Sequence, residues 1–386
     1  MTSLVGVGIS AIVAVAWTYL AILGIRRAFA SPWILADRTE IPGDVPWIDA
    51  IVPARNEANQ IAVSLRSLLD QDYPRLRITV VDDQSVDDTA AIVEDLARSD
   101  HRLTLIRGVQ RPTGWVGKTW ALEQGVSRSS ADWLWFVDAD MLLDPRALWT
   151  ALQEAHRTNA DLVSLLGRPQ CTTFWQASIA TALIETLSLV YPLVRVNNPQ
   201  SADGLAHGAF MLVRRQAHEA LGGLASIRSE IIEDIQYARR VKATGGRIIA
   251  RPAPLISQTH MYGRFFEIWR GLRKNAYAGM DYMFHKYAFG MMFALGMLWI
   301  PILAMGVGLL TGNGVLVALG VWGAVMQALA VVPATIYLGL GPWWALSLPM
   351  GGTAYVAIIT SSVWHYHRGG KILWKDRSFT SVDQSV

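Results

Sequence analysis

Residues 76–89 read Leu-Arg-Ile-Thr-Val-Val-Asp-Asp-Gln-Ser-Val-Asp-Asp-Thr. Leu76 to Val81 is a short, β-branched apolar run, and a run of that length bounded by polar residues reads as a buried strand. The segment from about Asp87 to Arg98 reads as the helix that follows it. Outward from this stretch the alternation continues. Ile48-Asp49-Ala50-Ile51-Val52 predicts a strand followed by a helix from Glu57 to Leu69. Leu103-Thr104-Leu105-Ile106 predicts another, and Trp133-Leu134-Trp135-Phe136-Val137 a fourth. Short apolar runs alternating with helical stretches imply βαβ units, hence an α/β domain with a mostly parallel, Rossmann-like sheet. Such sheets bind ligands outside the carboxyl ends of their strands.

The residues just after the strands are acidic. The second strand runs into Asp82, Asp83, Asp87 and Asp88, and the fourth into Asp138-Ala139-Asp140. A single cluster reads as a solvated turn or a helix cap, and Asp87 and Thr89 are read as caps. Two clusters at one sheet edge point further. Carboxylates one residue apart in a turn share a hard divalent cation that also takes phosphate oxygens. That combination holds a nucleoside diphosphate and steadies its departure. A third acidic pair, Glu233-Asp234, opens a predicted helix that runs through Ile235 to Val241. Acids there complement the helix dipole, and a positioned carboxylate also serves as a general base.

Only 17% of the 386 residues are charged, and 52% are hydrophobic. The deficit sits at two places, since residues 1–25 and 287–367 contain no Asp, Glu, Lys or Arg. The remainder has an ordinary soluble composition. This excludes a freely soluble enzyme, a disordered chain and a disulfide-stapled secreted domain. A net charge of +3 without a long basic run gives no reason to expect a nucleic-acid partner. The single cysteine, Cys171, fits a reducing compartment.

Leu4 to Leu23 is long enough to cross a bilayer. A signal peptide would open with basic residues and end in a small-residue cleavage site. Here Arg26 and Arg27 follow the apolar run, so residues 1–27 are read as an uncleaved anchor. Positive charge behind the first span predicts that residues 28–261 face the cytoplasm, in a multi-pass protein of the cell membrane. Residues 262–287 mix aromatics with Arg and Lys and read as amphipathic interfacial helices. Residues 288–367 divide at Gly312-Asn313-Gly314 and Gly341-Pro342 into three spans, near 289–311, 315–339 and 343–366. Three crossings would put the polar tail, 368–386, outside, whereas Arg368, Lys371, Lys375 and Arg377 against Asp376 would hold it in the cytoplasm. The sequence leaves both open. Phe174 to Val196, apolar apart from Glu185, Arg195 and a few hydroxyls, reads as an interfacial or buried helix lining an acceptor entrance.

Together, Val52-Pro53-Ala54-Arg55-Asn56-Glu57, Val81 to Thr89, Asp138-Ala139-Asp140 and Glu233-Asp234 resemble the family 2 glycosyltransferases of GT-A fold, over roughly residues 46–275. Within that family, Arg111-Pro-Thr-Gly-Trp-Val-Gly-Lys-Thr-Trp-Ala121 and the C-terminal spans are similar to the hopene-associated glycosyltransferases, with ceramide glucosyltransferases related. The resemblance implies a GT-A catalytic domain joined to transmembrane helices. It implies that Pro53, Arg55 and Glu57 cradle the nucleotide and that Asp83 meets the base or ribose. Asp138 and Asp140 would hold Mg²⁺ or Mn²⁺ against the diphosphate, with His260 where some members place a third ligand. Asp234 would be the general base of an inverting transfer, with Glu233 and His207 on the acceptor side. The donor would be a nucleotide-diphosphate sugar, UDP-linked by family habit. The acceptor would be a membrane lipid presented at the bilayer, a hopanoid or related polycyclic lipid. A polyisoprenyl phosphate or a ceramide-like lipid is the alternative within enzymes. An inactive scaffold or transport protein with a GT-A domain is the alternative outside them.

Departures from the family pattern carry weight. Lys118 is not a P-loop lysine, because the upstream glycine spacing is missing. It reads as a diphosphate contact or a surface lysine. Arg270-Gly271-Leu272-Arg273-Lys274 keeps the two arginines of the family's (Gln/Arg)-x-x-Arg-Trp motif and replaces the Trp. Arginines three apart share a helix face and could grip a diphosphate or anionic lipid headgroups. The missing Trp argues against a processive polymerase. Trp133 and Trp135 read as core, whereas Trp115 and Trp120 read as stacking candidates.

Overall fold

The computed structural model describes residues 2–260, 263–277, 279, 282–368, 372–374 and 377–379. In chain order the elements are α1 (Thr2–Ala30), β1 (Ile48–Ala54), α2 (Ile61–Leu69), β2 (Leu76–Asp82), α3 (Thr89–Ser99), β3 (Leu103–Arg107), α4 (Gly117–Val126), β4 (Trp133–Val137) and β5 (Met141–Leu143). They continue with α5 (Ala147–Thr158), β6 (Leu162–Leu166), β7 (Arg168–Pro169), α6 (Phe174–Val190), α7 (Leu193–Val196), β8 (Phe210–Arg214), α8 (Arg215–Ala220), α9 (Glu233–Ala243), β9 (Ile248–Pro252) and β10 (Ser257–Thr259). Last come α10 (Phe265–Ala276), α11 (Phe284–Thr311), α12 (Gly314–Tyr337), α13 (Leu348–His367) and a short hairpin, β11 (Ile372–Trp374) and β12 (Arg377–Phe379). The chain forms two compact units, each discontinuous in sequence. One comprises Met1–Pro32, Cys171–Pro192 and Met261–Gly370, and the other Trp33–Gln170, Leu193–His260 and Lys371–Val386.

The second unit is the α/β body that the strand–helix alternation predicts. Its seven-stranded sheet has the order β3-β2-β1-β4-β8-β6-β9. β8 runs antiparallel to β4 and β6, and the other pairings are parallel. All five residues of β4 are buried, as expected of a strand covered on both faces. α2 buries Ile61, Ser64, Leu65 and Leu68, the i, i+3, i+4, i+7 stripe of an amphipathic helix. Trp133 and Trp135 are core, at 2% and 0% exposure. β1 pairs with β2 on one side and β4 on the other, so the strand order reverses beside it. Such a switch point opens a crevice at the carboxyl ends of the two strands. A second, three-stranded sheet pairs β10 antiparallel with β5, setting Thr259 opposite Met141.

The first unit is helical. Four of its helical stretches are long and apolar enough to cross a membrane, Leu4–Ala30, Tyr287–Thr311, Gly314–Tyr337 and Pro342–His367. In the last of these, residues 342–347 form a 3₁₀ turn ahead of α13. Pro301 lies inside α11. Lacking an N–H, it leaves the carbonyl of Met297 without its helical donor. The Trp17 indole N–H donates to that oxygen at 2.8 Å, and the Gln327 amide donates to the Met297 and Leu298 oxygens at 3.4 and 3.2 Å. In lipid an unsatisfied carbonyl is costly, so the proline obliges the neighbouring helices to bring donors. α6 meets α13 where Gly351 lies on Ser178; a Cβ there would stand 2.2 Å from the Ser178 carbonyl oxygen.

Several boundaries differ from the sequence-based expectation. α2 starts at Ile61 rather than Glu57, because residues 54–58 are engaged with the loop after β2. The apolar stretch 174–196 is not one helix. Pro192 cannot donate, and it disfavours helical geometry at Tyr191, which sits at φ −121°, ψ 70°. α6 therefore stops at Val190, and residues 171–192 cluster with the helical unit rather than with the α/β body. Of the tail charges, Lys371, Lys375 and Asp376 lie outside the described residues.

Candidate active site

At the carboxyl ends of β1 and β2 two loops are laced together. The Asp83 N–H donates to the Ala54 carbonyl at 2.7 Å, and the Arg55 guanidinium donates to the carbonyls of Asp83 and Gln84 at 2.5 and 3.0 Å. The Asn56 N–H donates to Ser85 Oγ, the Glu57 N–H to Thr89 Oγ1 and the Ala58 N–H to Asp87 Oδ2. Asp87 also takes the N–H and hydroxyl of Thr89. Burial opposes its charge, but these donors hold its carboxyl below the usual range. Pro53, Arg55, Glu57 and Asp83 thus lie on or next to the two loops that these bonds join. Arg55, however, is buried and shapes the loop through backbone carbonyls.

Beside them β4 ends at Asp138. Lys118, in the first turn of α4, reaches across to it. Lys118 Nζ lies 2.7 Å from Asp138 Oδ1 and 2.9 Å from Glu233 Oε1. Burial disfavours the ammonium, yet the two carboxylates overcome this and hold its pKa well above the ordinary lysine value. Val116, which precedes α4, is tied by its N–H to the Arg228 carbonyl at 2.7 Å, so the segment carrying Lys118 is bonded to the one leading into α9.

Glu233 and Asp234 form the first turn of α9. Asp234 Oδ2 accepts the Gly208 N–H at 2.9 Å, and Oδ1 accepts the Ile235 N–H at 2.8 Å. Burial, and then the neighbouring charge of Glu233, push its carboxyl up to about 6, although Lys118 and both N–H donors oppose the rise. The helix dipole alone would lower this pKa; desolvation decides the sign. Gly208 is closely packed here, since a Cβ would stand 3.0 Å from Lys118 Nζ and 3.2 Å from Asp234 Oδ2 and would press on both side chains. The preceding His207 donates its backbone N–H to Ser164 Oγ at 2.8 Å. Burial lowers its imidazole pKa and keeps the ring neutral, and Nδ1 has no hydrogen-bond partner among the described residues.

His260 continues the β5–β10 ladder, and its N–H donates to the Asp140 carbonyl at 3.0 Å. Among the described residues no three His, Cys, Asp or Glu side chains converge as a ready-made metal cage. The donors present still fit a hard cation. Two carboxylates one residue apart, with an imidazole across the ladder, suit an ion that keeps water or phosphate oxygens as its remaining ligands. Arg270 and Arg273 lie on α10 in the helical unit, Arg270 exposed and Arg273 partly buried. Trp115 and Trp120 form an edge-to-face pair at 5.1 Å.

Sequence reasoning missed Gly208 and understated Lys118. A glycine after a histidine ahead of a strand carries no chemical signal of its own. The lysine's partners are 20 and 115 residues away, so only the fold reveals them.

Residues 49–222 match the family described as glycosyl transferase family 2. Among curated proteins, the chain is 25% identical over 178 residues to a poly-beta-1,6-N-acetyl-D-glucosamine synthase of Staphylococcus epidermidis, covering 46% of this chain and 42% of that one. It is 29% identical over 192 residues to the 4,4'-diaponeurosporenoate glycosyltransferase of Staphylococcus aureus, covering 47% and 48%. The chain thus spans about half the length of these relatives. Among solved structures, a mannosyltransferase from Pyrobaculum calidifontis in complex with GDP-Man and Mn²⁺ superposes with a TM-score of 0.56 at 20% identity, over 93% of this chain and 98% of that one. At that identity the likeness concerns the fold. Residues 49–222 are thus similar to the family 2 glycosyltransferases, and the fold is GT-A.

Proposed function

We propose that this protein is a membrane-bound inverting glycosyltransferase. It moves a sugar from a nucleotide-diphosphate sugar to a lipid acceptor at the cytoplasmic face. The carrying observation is the cluster Lys118–Asp138–Glu233–Asp234 at the sheet's switch point, with Asp234 half-buried, partly desolvated and aimed by two N–H donors. Asp234 takes the proton of the acceptor hydroxyl as the hydroxyl attacks the anomeric carbon opposite the leaving diphosphate. A carboxylate whose pKa is raised toward neutrality is a stronger base than an exposed one. The laced loops around Pro53, Glu57 and Asp83 receive the nucleotide. Asp138 and Asp140, with His260, hold a divalent cation, which when bound offsets the charge developing on the diphosphate. Lys118 keeps Asp138 and Glu233 in register, and Arg270 and Arg273, three residues apart on one helix, suit a phosphate or an anionic headgroup.

The lipid acceptor rests on the four apolar helices and on a relative named for a carotenoid-type acid. The relative named as a polymer synthase matches 46% of this chain and 42% of its own length, and Lys274 stands where the polymerase motif has Trp. A single transfer to lipid is therefore the reading, with a polycyclic lipid of hopanoid type as its finer form, supported by the resemblance of Arg111 to Ala121. Mass spectrometry of membrane lipids with and without the protein tests it. A new glycolipid is expected, absent with Asp234→Asn although that variant still binds nucleotide-sugar. Normal turnover by Asp234→Asn would sink the assignment, and a sugar polymer as product would sink the single-transfer reading.

A further inference from the structure

The helical unit holds two charged side chains that the transfer chemistry does not use. Arg27 is in the last turn of α1, and Glu185 is the only charged residue between Cys171 and Pro192. Both helices converge on α12. Gly24 packs so closely on Ala330 that a Cβ would stand 2.9 Å from its carbonyl oxygen. Ala21, Ala182 and Ala330 belong to one apolar cluster. Arg27 lies three residues beyond Gly24, and Glu185 three beyond Ala182, so each follows its contact residue by one turn on the same helix face.

Neither side chain makes an ion pair or a hydrogen bond with a described residue. Arg27 Nη1 is fully buried yet has no acceptor. The nearby hydroxyls of Thr186 and Ser188 donate to their own helix, to the carbonyls of Ala182 and Glu185, and leave the carboxyl unserved. Burial raises the Glu185 carboxyl to about 7, and the Arg27 charge acts on it in the opposite direction, so the two sense each other without touching. A buried donor and a nearby acid left apart in an apolar unit is an expensive arrangement unless something bridges them.

We propose that Arg27 and Glu185 form a binding point for the hydroxyl of a neutral lipid. Arg27 Nη1 donates to the hydroxyl oxygen, and the hydroxyl donates to the Glu185 carboxylate. A hydroxyl fits because it accepts and donates at once, whereas a phosphate headgroup would meet the carboxylate's charge. The proposal is about binding alone and stands apart from the transferase reading.

The test is thermal unfolding of the full-length protein in detergent, followed by tryptophan fluorescence, with dioleoylglycerol, dioleoylphosphatidic acid or dioleoylphosphatidylcholine added. Dioleoylglycerol is expected to raise the Tm in a dose-dependent way and the two phospholipids to leave it unchanged. Arg27→Leu and Glu185→Leu should each abolish the response. Glu185→Gln should weaken it roughly tenfold, the loss expected for one charge-assisted hydrogen bond. Without lipid, the double Leu variant should unfold at or above the wild-type temperature, because replacing ill-paired buried charges by apolar groups is neutral or stabilising. The proposal fails if all three lipids act alike, if phosphatidic acid acts more strongly, if no lipid acts, or if the variants respond like wild type. If the Leu variants do not fold, Glu185→Gln decides alone, and an unchanged response from it overturns the proposal.

Discussion

Lys118 joins a strand-end aspartate, Asp138, to the helix-start Glu233, beside the candidate base. Its removal has two readable consequences. Lys118→Met leaves both carboxylates without their cation. It should cost about 2 kcal/mol of stability, below the 3–5 typical of a fully buried pair because Asp138 keeps 32% of its side chain exposed. It should also change the pH profile. Asp234 must be ionised to act as base, so activity should fall about tenfold per pH unit below its pKa, which lies at about 6. Lys118 lowers that pKa, so Lys118→Met should move the acid limb to higher pH. Glu233 raises it, so Glu233→Gln should move the limb to lower pH. Initial rates from pH 4.5 to 8 check both signs, and shifts in the opposite directions would remove Asp234 from the role. Gly208→Ala offers a third probe. Its Cβ would press on Lys118 Nζ and Asp234 Oδ2, and displacing a base by a few tenths of an ångström is expected to lower kcat several-fold, less than the roughly hundredfold loss of a 1 Å misplacement, while the helix content in circular dichroism is unchanged.

At the scale of elements, the first four strands were the legible part, and β5 to β10 and the helix starts were not. β4 coincides with the apolar run Trp133 to Val137, because a strand buried on both faces must be apolar throughout. α2 begins four residues later than its pattern suggests, and Glu57 and Ala58 instead give their N–H groups to Thr89 and Asp87 at the start of α3. Those partners lie 29 to 32 residues away and leave no local trace. In α11 the proline was visible but its partners were not. Trp17 and Gln327 both donate to the carbonyl that Pro301 frees. Gln327→Leu or Trp17→Phe alone should cost about 0.6 kcal/mol, the average for a hydrogen bond in a membrane protein. The double variant should cost more than the sum, since only then is the buried carbonyl left with no donor. Unfolding in mixed micelles of increasing SDS content measures this, and strict additivity would refute the sharing.

At the scale of the whole molecule, the uncharged stretches at 1–25 and 287–367 correspond to helices long enough to span a bilayer. The protein should therefore remain in the membrane pellet after carbonate washing and enter solution only with detergent. The proposed cation is tested at the same scale, because the α/β body has an extensive apolar core of its own. Chelation with EDTA should abolish transfer and leave the Tm within about 2 °C of its starting value, a shift worth about 1–2 kcal/mol for a chain of this length. Mg²⁺ or Mn²⁺ should restore the activity. Unfolding on chelation would instead mark the ion as structural.

The sequence by itself determined the α/β class, its first four strands, the acidic residues at the ends of two of them and the stretches long and apolar enough to span a bilayer. Those follow from local periodicity and composition, which register burial one residue at a time. Only the tertiary structure decided that Lys118 bridges Asp138 and Glu233, that Gly208 holds Asp234, and that the 174–196 stretch divides at Pro192. A salt bridge, a backbone donor and a unit boundary depend on which distant segments share space. A carboxylate's strength as a base depends on how much water those segments exclude. Neither is encoded in any window short enough to read directly.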